Sequence, residues 1–214
     1  MTRLIKTLTL PFLMTMPAST ALAEEDAQLW IDTVVSYPIA DDTRFALQTQ
    51  PRISLDGERT DQLFLRAGVS HRATKDATIG GGLILLGEFG PVEKRPYASV
   101  DFGSGPLTLR TMAEFRFFDG ADRMAIRLRQ RAQMALPIAA RTDFVTSGEV
   151  FYTARSQSDD GDTRVSQWRA IAGIRYAASD KLNVSAGYLA LGIPRPDAED
   201  SLSHIPTIGA SYAF

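Results

Sequence analysis

The feature that most constrains the fold is a two-residue alternation of apolar and polar side chains, clearest between Arg123 and Leu136. Even positions such as Leu128 and Met134 are apolar apart from Gln130, whereas the odd positions carry most of the arginines. Successive side chains of a strand point to opposite faces. A helix, with about 3.6 residues per turn, would spread the same arginines around its circumference. The segment therefore predicts a β-strand with one apolar face and one arginine face.

The same alternation recurs along the chain, and turn-forming residues such as Asp56-Gly57 and Ser179-Asp180-Lys181 separate the segments. Eleven candidate strands result, covering residues 29–37, 44–53, 62–70, 78–86, 97–102, 107–117, 123–136, 143–152, 167–176, 182–191 and 203–214. Within residues 78–86, Gly80-Gly81-Gly82 is expected to permit a bend or close packing in the wall. The pattern predicts an all-β protein with one domain.

The first residues predict a secretory signal peptide. Arg3 and Lys6 precede an apolar stretch over residues 8–16, and Ala21-Leu22-Ala23 provides a small-residue cleavage pattern. An anchoring helix would need about 20 apolar residues. This stretch is shorter and is interrupted by proline, so it does not predict such a helix. We expect residues 1–23 to be removed and residues 24–214 to form the domain.

Several features favour a membrane barrel over the alternative, a periplasmic β-sandwich. The predicted strands reach about ten residues, which suits a tilted crossing of the hydrocarbon layer. Aromatic residues at the strand ends on the apolar face would form interfacial girdles: Tyr37, Phe117, Tyr152, Tyr176, Tyr188 and Tyr212. The terminal Tyr212 and Phe214 resemble the signal that the barrel-assembly machinery recognises in a last strand. These features predict an outer-membrane location, with lipid and that machinery as partners. The formal net charge of −2 gives no reason to expect nucleic acid.

The sequence leaves the number of strands open between ten and twelve. Bacterial barrels of this kind have an even number of antiparallel strands, so a single antiparallel up-and-down barrel of twelve strands is favoured. With Phe214 at the periplasm, the longer connections fall outside and the short turns inside. The strand at Leu29–Tyr37 does not fit this scheme, because it would begin outside.

The face opposite the apolar one is expected to line the lumen. It carries eleven arginines and five acids: Arg44, Arg52, Arg66, Arg110, Arg116, Arg123, Arg127, Arg129, Arg131, Arg169 and Arg175 against Asp32, Asp101, Glu114, Asp143 and Glu149. A narrow barrel fills its lumen with side chains, so the first hypothesis is a structural or accessory barrel plugged by arginine–carboxylate pairs. The alternative is a small anion-preferring channel, since arginine rings favour anions.

A lipid-modifying enzyme is the second alternative. His71 and His204 each follow a serine, Ser70 and Ser203, but adjacent strand residues point to opposite faces and form no local dyad. No catalytic residue, cofactor or metal site is predicted. The acidic stretch 159–162 lacks the spacing of a calcium loop and is interpreted as a solvated outer loop.

The chain also resembles a family of uncharacterised Gram-negative outer-membrane barrels catalogued as a domain of unknown function. The resemblance covers nearly the whole mature chain. It depends on these residues and segments: Trp30, residues 48–52, residues 93–97, Arg110, Glu114, Arg116, Arg127, Arg129 and residues 183–188. It implies a barrel and no activity.

Overall fold

A computed structural model describes residues 25–57, 60–88, 93–159, 161–196 and 198–214. The signal peptide predicted for residues 1–23 lies outside these ranges. The described residues form eleven strands: β1 Glu25–Ala40, β2 Thr43–Ser54, β3 Gln62–Arg72, β4 Ala77–Gly87, β5 Glu93–Ser104, β6 Leu107–Arg116, β7 Ala125–Ala139, β8 Thr142–Arg155, β9 Arg164–Ala177, β10 Leu182–Ile193 and β11 Ser201–Ala213. The prediction of an all-β fold is confirmed. In the described part of the chain, no helix is long and apolar enough to cross a membrane.

The connections sort into two kinds at opposite ends of the sheet. One end, here the turn end, holds the short connections 41–42, 73–76, 105–106, 140–141 and 178–181. Gly105 and Arg141 adopt positive φ angles of 56° and 63° in two of these turns. The other end, here the loop end, holds the longer connections 55–61, 88–92, 117–124, 156–163 and 194–200.

The sheet closes on itself by hydrogen bonding β1 to both β2 and β11, which makes a barrel. Every pair of consecutive strands is antiparallel, so an odd number of strands forces the first and the last to run in the same direction. The β1–β11 pair is indeed parallel, with Thr33 opposite Ala210 and Val35 opposite Tyr212. The favoured number of twelve strands is therefore wrong, and the barrel is not antiparallel throughout. The predicted strand Leu29–Tyr37 did not fit the expected scheme of an even-stranded barrel because β1 begins at the loop end, as β11 does.

The alternation separates an outer face from an interior. On β7 the apolar Leu128, Met134 and Leu136 are exposed, whereas Arg127, directly before Leu128, is only 6% exposed. The other strands likewise expose apolar side chains on their outer face, among them Leu47, Val69, Leu109, Ile174 and Ile208. The structure thus encloses the polar face and exposes the apolar one.

Two glycines and a tyrosine lie side by side in the wall on β3, β4 and β5. Gly68, Gly82 and Tyr97 occupy one register line across these strands, and the hydroxyl of Tyr97 lies over Gly68. A Cβ placed on Gly82 would come 2.6 Å from the Cα of Gly68. The glycines therefore allow close packing of the strands and leave room for the Tyr97 ring inside the barrel.

Candidate functional site: an arginine-lined lumen

The interior is organised around a fully buried carboxylate, Glu114 of β6. Arg127 Nε donates to its Oε2 at 2.7 Å and Arg129 Nη1 to its Oε1 at 2.6 Å. Arg129 also donates through Nε and Nη2 to Glu149 Oε1, at 2.9 and 2.7 Å. These four residues, the Glu114 network, lie on the adjacent strands β6, β7 and β8. Their charges are compensated by charge-assisted hydrogen bonds, which stabilises ions held away from water.

Three further carboxylates pair with arginines around the barrel. Glu93 accepts from Arg116 Nε at 2.6 Å and also from Arg95. Toward the turn end, Arg110 Nε lies 2.6 Å from Asp101 Oδ1, and Arg175 Nη2 lies 2.6 Å from Asp143 Oδ2. Asp32 instead accepts from the amides of Gln48, at 2.5 Å, and Gln50, at 3.4 Å.

Aromatic rings support the arginines that face the centre. The guanidinium of Arg52 lies 4.1 Å from the centroid of the Trp30 ring. Arg169 lies 5.1 Å from Trp30 and 4.7 Å from Phe151, which also contacts Arg127 and Arg129. Because β9 and β1 are separated by two strands, the contact between Arg169 and Trp30 joins strands that are not neighbours in the sheet. Cation–π contacts of this kind are strongest where water is excluded.

A small apolar cluster lies on one side of the lumen near the loop end. Trp30, Leu189, Leu191 and Ile205 are all buried and pack together, with Ile171 against them. Leu191 lies two residues from the loop end of β10, and Ile205 lies four residues into β11. Like the Glu114 network, this cluster lies in the half of the barrel nearer the loops.

The structure places the eleven arginines predicted from the sequence in three settings. Six lie within 4 Å of a carboxylate: Arg110, Arg116, Arg123, Arg127, Arg129 and Arg175. Four others line the interior, and the structure as described gives them no carboxylate within that distance: Arg52, Arg66, Arg131 and Arg169. Arg44 is exposed near the turn end. Arg123 precedes β7 and donates to the carbonyls of Ser156 and Ser158, so that it holds a loop.

Sequence reasoning missed three interior residues, Glu93, Arg95 and Trp30. The predicted fifth strand began at Tyr97, whereas β5 begins at Glu93. Extending the alternation of Tyr97 backwards would have found both Glu93 and Arg95. Trp30 was noted only as part of a family pattern, although it alternates with Leu29 and Ile31 in the same way.

A cavity of about 560 Å³ lies at the loop end, bordered by Arg116, Gln157 and Pro196 among others. Two adjoining cavities lie deeper in the interior. The larger, the central cavity, has a volume of about 250 Å³ and is bounded by Trp30, Phe64, Arg52, Arg131 and Arg169 among others. The smaller, the side cavity, has about 150 Å³ and includes Gly68, Ser70, Gly80 and Ser99 in its wall. Gln48, Arg66 and Arg110 border both cavities. Small residues and polar groups therefore lead from the central cavity toward the turn end.

The structure separates the histidines from the serines beside them. Ser203 is fully buried inside, whereas His204 lies on the outer face and hydrogen bonds with the Tyr188 hydroxyl. His71 contacts Thr43 near the turn end, with 3.0 Å between Nδ1 and Oγ1. Ser203 and His204 thus lie on opposite faces of the wall, as adjacent strand residues do.

The acidic loop stretch does not assemble a metal site in the part of the chain that the structure describes. There, no group of three or more His, Cys, Asp or Glu side chains is placed to hold a metal ion. Asp159 pairs instead with Arg123 at 2.7 Å. Asp160 and Asp197 lie outside the described residues.

These features define a closed all-β barrel with an apolar outer face and a charged, arginine-rich interior. Residues 27–201 match the family described as a protein of unknown function, DUF2490. The chain belongs to this family, which confirms the resemblance expected from the sequence.

Two individual proteins show more distant similarity. An uncharacterized protein of Methylorubrum extorquens is 26% identical over 179 residues, which cover 77% of this chain and 78% of that protein. A chain solved in a study of the in-meso crystallization of membrane proteins has a TM-score of 0.45 at 14% identity. The match covers 82% of this chain and 77% of that chain.

Proposed function

We propose that the mature chain is an integral barrel of the Gram-negative outer membrane with a closed lumen, acting as a structural or accessory barrel. The observation that carries the proposal is the inverted distribution of polarity: a buried carboxylate–arginine network inside and an apolar surface outside. A protein in water buries its apolar face, whereas a protein in lipid must present it.

The outer surface supports immersion in lipid. Exposed apolar side chains occur on all the strands, and so much contiguous apolar surface is unusual for a protein that is monomeric in water. Aromatic residues occupy this surface near the ends of several strands, among them Tyr37, Tyr152, Tyr176 and Tyr212, as expected for interfacial girdles. The closed hydrogen bonding of the sheet also supports immersion in lipid, because lipid provides no partner for an open sheet edge.

The interior supports a closed lumen over an open channel. The Glu114 network and the apolar cluster around Trp30 lie in the half of the barrel nearer the loops, and all their side chains except the part-buried Arg129 are buried. A continuous aqueous path would have to break charge-assisted hydrogen bonds within the network. Such bonds are costly to break when one partner is left buried.

The last strand supports assembly by the barrel-assembly machinery as part of the same proposal. Tyr212 and Phe214 face outward at the turn end, with their ring centroids 4.8 Å apart. Phe214 also contacts Tyr37 of β1 at 5.9 Å, so this aromatic group spans the seam between the first and last strands.

The test is to refold the mature protein in detergent and to compare boiled and unboiled samples by gel electrophoresis, with single-channel recording of the same sample. We expect a mobility shift on boiling and no steady conductance in planar bilayers. A protein that stays soluble without detergent, and whose mobility is the same before and after boiling, would contradict the membrane assignment. A chloride-directed reversal potential in a KCl gradient would favour the anion channel instead.

A further inference from the structure

The central cavity carries far more positive than negative charge. Eight arginines border it against two acids: Arg52, Arg66, Arg95, Arg110, Arg127, Arg129, Arg131 and Arg169, with Asp32 and Glu149. Adding the three other carboxylates that pair with these arginines, Glu93, Asp101 and Glu114, brings the acids to five. A surplus of at least three positive charges remains inside the barrel.

The surplus is concentrated on four arginines. Among the described residues, Arg52, Arg66, Arg131 and Arg169 have no carboxylate within 4 Å. Arg52 Nε donates to the neutral Gln50 Oε1 at 3.0 Å, and Arg52 and Arg169 stack on aromatic rings. Neutral amides and rings stabilise a guanidinium without cancelling its charge.

Several polar atoms at the cavity lack a hydrogen-bond partner. They are the Nε atoms of Arg131 and Arg95 and the Oε1 atom of Gln48, all of which are buried. A buried donor without an acceptor is destabilising, and a buried charge without a counter-charge more so. The cavity of about 250 Å³ beside the two arginine Nε donors has room for a small molecule that would supply their missing acceptors, whereas Gln48 Oε1 is itself an acceptor and needs a donor.

We propose that the central cavity is a binding site for a small, water-soluble phosphate anion, either inorganic phosphate or a phosphate monoester. A phosphate offers several acceptor oxygens and close to two negative charges, which suits a group of guanidinium forks better than a monoanion does. Arg66 and Arg131 are the residues best placed to bind it, since both border the cavity, neither pairs with a carboxylate in the described structure, and, unlike Arg52 and Arg169, neither stacks on an aromatic ring there.

The side cavity provides the access route. It shares Gln48, Arg66 and Arg110 with the central cavity, and glycines and serines form much of the rest of its wall. Small side chains line this route, and Ser70 and Gly80 lie toward the turn end. Access from the turn end depends on the proposed closed lumen, but binding itself does not.

The experiment measures phosphate binding by the refolded, heat-modifiable barrel in detergent at low ionic strength. Inorganic phosphate is titrated calorimetrically, with acetate as a monoanion of similar chemistry. We expect saturable phosphate binding and at least tenfold weaker binding of acetate. Equal affinity for both anions would mean general attraction to positive charge and would overturn the proposal, as would the absence of phosphate binding.

Variants locate the site. Arg66→Gln combined with Arg131→Gln is expected to weaken phosphate binding at least tenfold. Arg123→Gln, which removes a loop arginine that borders neither cavity, should leave it unchanged. A folded double variant that binds phosphate as tightly as the parent protein would overturn the assignment. If the double variant fails to fold, Arg131→Lys serves in its place, because it keeps the charge and loses the fork.

A second readout separates this proposal from the proposed function. Phosphate should raise the urea midpoint of the parent barrel but not that of the double variant, because a ligand stabilises only the state that binds it. Loss of the phosphate effect in a folded, non-conducting barrel would overturn the anion site alone. A steady conductance would overturn the proposal of a closed lumen and would leave the proposal of phosphate binding unaffected.

Discussion

At the scale of single residues, the interior shows how charges are tolerated in a narrow barrel. Glu114 has no contact with solvent and accepts hydrogen bonds from two arginines on the neighbouring strand. The Coulomb attraction and the hydrogen bonds together offset the free energy that Glu114 loses with its hydration. Neither of the two would be sufficient alone. Removing one partner would leave an uncompensated buried charge.

We therefore expect Glu114→Gln to lower the free energy of unfolding by about 3–5 kcal/mol. The substitution keeps the size of the side chain and removes the charge that Arg127 and Arg129 require. Urea unfolding of the refolded barrel in detergent, followed by tryptophan fluorescence, would measure the change. Asp180→Asn is the matched control, because it removes the partner of Arg141 in an exposed ion pair. We expect no measurable change there, and similar losses in both variants would show that the burial of Glu114 does not matter.

At the scale of the strands, packing of the wall depends on where glycine is placed. Gly82 faces the backbone of β3, and a Cβ at this position would lie 3.0 Å from the carbonyl carbon of Ala67. Gly148 of β8 has nothing within 4 Å of the same point. The two glycines thus occupy similar strands in opposite steric settings.

Gly82→Ala is expected to destabilise the barrel by about 1–3 kcal/mol, because backbone atoms of two strands would have to separate. Gly148→Ala should be neutral or slightly stabilising, since alanine reduces the freedom of the unfolded chain and meets no obstacle. Urea midpoints of the two variants under the same conditions would test this. Equal midpoints would show that the strands can shift to accept the methyl group.

At the scale of the whole molecule, the closure of the barrel depends on one parallel seam. Hydrogen bonds between parallel strands are slanted and slightly weaker per residue than antiparallel ones. The seam nevertheless removes both free edges of the sheet, which would otherwise expose unpaired backbone groups. Thr33 is central to it, since it lies opposite Ala210 on β11 and opposite Thr49 on β2.

Because the chain contains no cysteine, paired cysteines can test the seam. Thr33→Cys with Ala210→Cys should form a disulfide on oxidation, detected as a change in gel mobility that a reductant reverses. Thr33→Cys with Thr49→Cys is the control for an ordinary antiparallel neighbour. A strand inserted between β1 and β11 would place the first pair about 9–10 Å apart, too far for a disulfide. Cross-linking of the control pair alone would therefore contradict the eleven-stranded closure.

The strands and their two faces could be predicted from the sequence because alternation is a local property. A period of two needs only neighbouring residues to be visible, as in Arg127-Leu128-Arg129, and all eleven candidate strands are present in the structure. The clearest error at this level was that the fifth strand was predicted to begin at Tyr97. The strand β5 in fact begins at Glu93, and Pro96 obscured the alternation that includes Glu93 and Arg95.

The closure and the pairing inside the lumen were decided only by the tertiary structure. An odd number of strands forms a closed barrel only if the first and last strands pair in parallel. No local sequence pattern in β1 or β11 indicates this pairing. The ion pairs likewise join residues that are distant in sequence, such as Arg175 and Asp143, which the register of neighbouring strands brings together. The sequence by itself determined the alternation that separates the two faces of each strand, although it missed Glu93 and Arg95 and assigned Arg123, which lies in a loop, to the lumen. Which arginines find a carboxylate, and which four remain around a cavity, depended on strand pairing and on the shape of the closed barrel.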